Sequence, residues 1–139
     1  MAPEVGPRNG TFVALPPAAF TASDPGAEIH PDAAPLPGDS VVTKNRVSAF
    51  PGSVLRQAPA AQGIGHLVLA GTATGGVVLA TACRVADLDF RLTFLADGCS
   101  GPDPELHRML VERVLARRAT PPPSTAGAGP SPSRPAEVA

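Results

Sequence analysis

The stretch HLVLAGTATGGVVLATACRVADLDFRLTFLA, His66–Ala96, decides the fold. Its first five residues, His66–Ala70, are a compact apolar run with glycine on both sides, the pattern of a strand buried on both faces. Gly71 opens a turn, and Thr74 is a candidate helix N-cap. From Gly75 to about Asp87 the spacing predicts a helix. Val78, Ala82 and Val85 share one face, with Leu79, Cys83 and Ala86 beside it. A helix apolar nearly all round is expected to be buried. Gly75 and Gly76 in its first turn cost helix propensity and let another backbone or a ligand come close. Phe90–Ala96 suits a second buried strand, ended by Asp97.

Downstream, Asp103 is placed to cap a helix that tolerates Pro104 in its first turn and gains from Glu105 at its positive end. Leu106, Met109, Leu110 and Val114 make an apolar stripe, with Arg117 and Arg118 at the C-terminal end. From Thr120 a Pro/Ser/Ala/Gly tail lacks the apolar surface to offset ordering entropy and is expected to be disordered. Upstream, Val41-Val42-Thr43 reads as a short strand running into Lys44, which taken alone is a solvated strand end. Ser53 is a cap for a helix from Val54 that Pro59 cuts after about one turn. Residues 1–40 read as loop, with room for a brief strand in Gly10–Phe20 and a turn at Asp24-Pro25-Gly26.

Strand, helix, strand, helix means a parallel sheet with crossover helices, and ligands of such sheets sit beyond the carboxyl ends of the strands. Gly71–Val77 and Asp97 line that edge, and Lys44 joins them if its strand is parallel.

Composition bounds the rest. Nine of 18 prolines lie in residues 1–51, six in 121–139 and three between, so regular structure belongs in the middle. Trp and Tyr are missing and Phe numbers five, which leaves a core of Val, Leu and Ala. Eleven basic against 12 acidic side chains make no basic stripe for nucleic acid. Two cysteines without CxxC spacing are neither a disulfide framework nor a zinc site. The longest apolar run is broken by Gly, Thr and Arg, so no membrane span is expected, and no signal peptide is read at the start. A cytoplasmic setting is the default, with no metal and no cofactor.

Three stretches carry a resemblance: VVTKNRVSAFPGSVL (Val41–Leu55), HLVLAGTATGGVVLATACRVADLDFRLTFLADGCSGPDPELH (His66–His107) and, more weakly, PRNGTF with DPGAEIHPDAAPLPGD within Pro7–Asp39. They resemble the isochorismatase-like hydrolases of the cysteine hydrolase superfamily over roughly residues 7–119. The resemblance implies a three-layer, Rossmann-like α/β fold with a parallel sheet. It also implies catalysis by an aspartate base, a supporting lysine and a cysteine at a helix start, where the dipole favours the thiolate. Backbone N–H groups at the turn form an oxyanion hole.

Carried over by position, Lys44 matches the lysine, and Val77 stands where the cysteine follows the G-x-x-T turn by three residues. Cys83 falls nearly two helical turns further on, and Cys99 beyond the next strand. Gly71, Thr72, Ala73 and Thr74 form the pocket turn, with the N–H groups of Ala73 and Val77 as the oxyanion hole and a cis peptide bond between Thr72 and Ala73. The aspartate belongs to a first strand that the matched stretches lack. The resemblance therefore implies a partial domain over 41–119, truncated at its N-terminus, with a loop-rich segment before it and a tail at 120–139. His30 reads as a loop or structural histidine. Without its first strand the sheet keeps an open edge beside His66–Ala70, which predicts weak stability and homo-oligomers.

Three readings of function follow: a family member impaired in catalysis; an active, cysteine-independent hydrolase of the isochorismatase type whose start lies further upstream; or a binding or assembly module. A small-molecule ligand is the expected partner, with neither nucleic acid nor membrane.

Overall fold

A computed structural model describes residues 24–57, 59, 62–119 and 136–138. The brief strand considered in Gly10–Phe20 lies outside them. At the centre is a three-stranded parallel sheet in the order β2–β1–β3, with β1 at His66–Thr72, β2 at Arg91–Ser100 and β3 at Ala136–Val138. A wide turn, Thr74–Val78, leads from β1 into helix α1, Leu79–Asp87. Helix α2, Pro104–Met109, follows β2 and runs on through a second wide turn, Leu110–Val114, and a 3-10 turn, Leu115–Arg117. The α/β alternation read from the sequence is thus the observed order.

The core sits between β1 and the elements packed on it. Leu67 and Leu69 of β1, Leu92 and Cys99 of β2, Val78, Ala82 and Val85 of the first helical segment, and Leu115 are all buried. Helix α1 buries Thr81, Ala82 and Val85, a face that Val78 of the preceding turn continues. It is not buried all round, as its composition suggests: Leu79 and Cys83 are half-buried and Ala86 is exposed. Apolar atoms still supply much of a folded protein's surface, so apolar composition overstated the burial. In the segment that follows β2, Leu110 and Leu115 turn inward, whereas Leu106 and Met109 stay about two-fifths exposed.

Three expectations are corrected. Val41–Thr43 forms no strand: the segment has no strand beside it among the described residues, and Val41 is 63% exposed. Asp97 does not end β2. Register runs from His66↔Arg91 to Leu69↔Phe94, breaks, and resumes at Gly71↔Cys99 and Thr72↔Ser100. Residues 95–98 bulge out of the ladder, and Cys99, expected beyond the strand, lies inside it. Finally, Leu67, Val68 and Leu69 pair with Ala136, Glu137 and Val138, so the edge of β1 expected to be open is covered over three residues. The tail expected to be disordered thus holds a strand at 136–138, while the expectation for 120–135 falls outside the described residues.

Phe50, 1% exposed, and Ala49 enter the core. The Ala49 N–H donates to the buried Thr81 hydroxyl of α1 at 3.1 Å. Ser53 caps the 3-10 turn Val54–Arg56 with its hydroxyl accepting from the Leu55 N–H. Before it, Pro25–Ala27 and Pro31–Ala33 are 3-10 turns with no buried residue.

Candidate functional site

The carboxyl end of β1 is where this sheet can hold a ligand. Gly71 has φ +124°, a region that residues with a Cβ rarely adopt, so the chain leaves the strand by a path that needs glycine. The Thr72–Ala73 peptide bond is cis, at the place the resemblance implies. Ala73 then caps the wide turn, its carbonyl accepting from the N–H groups of Gly76 at 3.0 Å and Val78 at 3.2 Å. Such wide turns at a helix start recur at functional sites.

Thr74 ties this turn to the end of β2. Its side chain is fully buried. The hydroxyl donates to the Ser100 carbonyl at 2.9 Å and lies 2.7 Å from His107 Nδ1 on α2. The bulge in β2 makes this possible, because re-pairing at Thr72↔Ser100 brings the strand end back beside the turn. Gly75 admits α2 closely: a Cβ there would stand 3.2 Å from Leu106 Cδ2.

Between the turn and α2 lies a half-open cavity of about 170 Å³ with a mostly apolar wall. Ala73, Thr74, Gly75 and Gly76 line one side, and Gly101, Pro102, Asp103, Leu106 and His107 the other. The Asp103 carboxylate caps α2, with one oxygen accepting from Glu105 N–H at 2.9 Å and Leu106 N–H at 3.0 Å.

Of the residues expected at the site, Ala73 and Thr74 line this cavity; Gly71 and Thr72 form the turn that shapes it. Val77 is half-buried in the wide turn and is not part of the cavity wall. Lys44 is not brought to it either. Its ammonium donates to the Arg46 carbonyl at 3.3 Å, and no hydrogen bond or ion pair links it to the turn among the described residues. Though Lys44 is exposed, the surrounding protein desolvates its ammonium enough to pull its pKa below the ordinary lysine value. His30 is a surface residue whose Nδ1 accepts from the Asp32 N–H. Burial pushes the Cys99 thiol pKa up. A hydrogen bond from the Gly71 backbone pulls it back, and the Asp97 carboxylate pushes it up again. Sequence reasoning gave His107 no role. The signal was its place four residues after the capping Asp103, on the same helix face.

The turn, the cis bond and the strand–helix order invite comparison with known proteins. The Isochorismatase domain model matches residues 6–124. The chain belongs to the isochorismatase family. Among solved structures, an isochorismatase-like hydrolase from Alkaliphilus metalliredigens superposes with a TM-score of 0.70 at 24% identity, over 76% of this chain and 58% of that one. An isochorismatase family protein from Desulfovibrio vulgaris subsp. vulgaris str. Hildenborough gives a TM-score of 0.67 at 29% identity, over 72% and 53%. A putative hydrolase of the isochorismatase family from Chromobacterium violaceum gives 0.61 at 30%, over 70% and 57%. The chain thus spans little more than half the length of these structures. No functionally curated protein matches it. The isochorismatase-like fold is the three-layer α/β architecture inferred from the sequence, here with three strands among the described residues. No helix among them is long and apolar enough to cross a membrane.

Proposed function

We propose that this isochorismatase-family domain retains a small-molecule turn site but not the thiol chemistry of cysteine hydrolases. The observation that carries the reading is Val77, the third residue after Thr74, where the resemblance places the nucleophile. A valine side chain has no lone pair to attack a carbonyl carbon and no proton to give. The chain's two thiols are poor substitutes. Cys83 lies in the middle of α1, and Cys99 sits in β2 with its thiolate disfavoured by burial. Lys44, the residue that matches the family lysine, is engaged with its own segment's backbone. The reading takes a cytoplasmic setting for the protein.

Val77→Cys tests the positional assignment. The half-buried wide turn at a helix start favours a thiolate. The new thiol is expected to react with iodoacetamide near neutral pH at least tenfold faster than Cys83 or Cys99, read by mass spectrometry. A rate no faster than that of Cys83 would mean that Val77 is not the nucleophile position.

A further inference from the structure

The cavity beside the turn contains one side chain whose protonation the geometry fixes. The Thr74 hydroxyl has a single proton and two close neighbours, the Ser100 carbonyl at 2.9 Å and His107 Nδ1 at 2.7 Å. A carbonyl oxygen only accepts, so the hydroxyl proton lies on the Ser100 side. The contact with His107 then requires a proton on Nδ1. Neutral His107 is therefore the Nδ1–H tautomer, with the lone pair on Nε2. No described residue hydrogen-bonds to Nε2, and the half-buried ring is part of the cavity wall. The other acceptor side chain there, the Asp103 carboxylate, has one oxygen committed to two backbone N–H groups of α2.

We infer that His107 Nε2 is an acceptor that this cavity presents to the N–H or O–H of a ligand. The ligand class is a small, largely apolar molecule with one hydrogen-bond donor, as the mostly apolar wall and the volume of about 170 Å³ require. Thr74 acts here as a positioning residue: it holds the imidazole in the tautomer that accepts. What the cavity holds rests on the reading of the turn as a ligand site. The tautomer does not.

Long-range proton–nitrogen NMR on the full chain, labelled at histidine, reads the tautomer directly. The wild-type spectrum is expected to show the proton on Nδ1 of His107. Thr74→Val is expected to release it to a mixture. Binding is then read with two probes of nearly equal shape, 2-pyrrolidinone, which has an N–H, and γ-butyrolactone, which lacks it. The lactam is expected to shift the Nε2 resonance with an apparent affinity at least tenfold above that of the lactone. His107→Asn keeps a donor near the Nδ1 position and removes Nε2, so the backbone amide shifts of Ala73 and Gly76 should lose the preference for the lactam. A proton on Nε2 in the wild type would overturn the inference. So would equal shifts with the two probes, or none with either. If Thr74→Val fails to fold, the wild-type spectrum and His107→Asn decide. None of these results bears on Val77, whose assignment fails separately if the Cys variant is unreactive.

Discussion

Gly71 and Gly75 stand four residues apart and tolerate a side chain to different degrees. At Gly71 the backbone conformation excludes a side chain, whatever the space around it. Gly71→Ala is expected to cost about 1–3 kcal/mol, the usual range for a residue forced into a sparsely populated conformation. At Gly75 a Cβ would meet the end methyl of Leu106, a side chain 42% exposed and able to move aside. Gly75→Ala is expected to remain within about 1 kcal/mol of the wild type, since helix propensity offsets the contact. Urea unfolding of both variants checks the contrast, and equal losses would refute it. Cys99 makes a pH-dependent prediction. Its folded-state pKa is raised, so its contribution to stability is full below the unfolded thiol's pKa and is lost as pH rises through the folded value. Stability should fall on the alkaline side of the ordinary thiol range, and Cys99→Ala should flatten that decline. Comparing denaturation of the two chains across pH cancels the other titrating groups. A slope unchanged by the substitution would show that Cys99 does not titrate as described.

At the scale of elements, the local pattern was legible where packing and propensity agree. Glycines bracketing an apolar run marked β1, the three-and-four spacing marked the buried face of α1, and the Asp103-Pro104-Glu105 start marked α2. Features set by distant partners were not legible. Val41–Thr43 has strand composition but pairs with no strand among the described residues. Asp97 reads as a strand end, yet β2 resumes after it because Gly71 and Thr72 meet Cys99 and Ser100. His107 reads as one more polar residue near the start of a helix, because its partner Thr74 is 33 residues away in sequence. The same holds for Thr81, which lies within the apolar pattern of α1 but accepts the Ala49 N–H in the core. Thr81→Val keeps the shape and strands that donor. A loss of about 1–3 kcal/mol in chemical denaturation is expected, the cost of an unsatisfied buried donor. A variant as stable as the wild type would mean that residues 41–50 are not anchored through this bond.

Over the whole molecule, β1 is the strand on which everything depends, with β2 on one edge and Ala136–Val138 on the other. An uncovered edge of a central strand invites pairing with another chain. Ending the chain at Ala119 removes the cover over Leu67–Leu69 and is expected to shift it toward larger species in gel filtration, relative to the full chain. An unchanged elution profile would show that β3 does not protect this edge. The central claim is that an isochorismatase-family fold here lacks a working nucleophilic thiol, and catalysis measures it most directly. Hydrolysis of a panel of simple amides is compared for the wild type and for Cys83→Ala/Cys99→Ala, with both chains shown to be folded by circular dichroism. The account predicts the same rate for both, whether that rate is zero or measurable. Turnover by the wild type that disappears in the cysteine-free variant would contradict it.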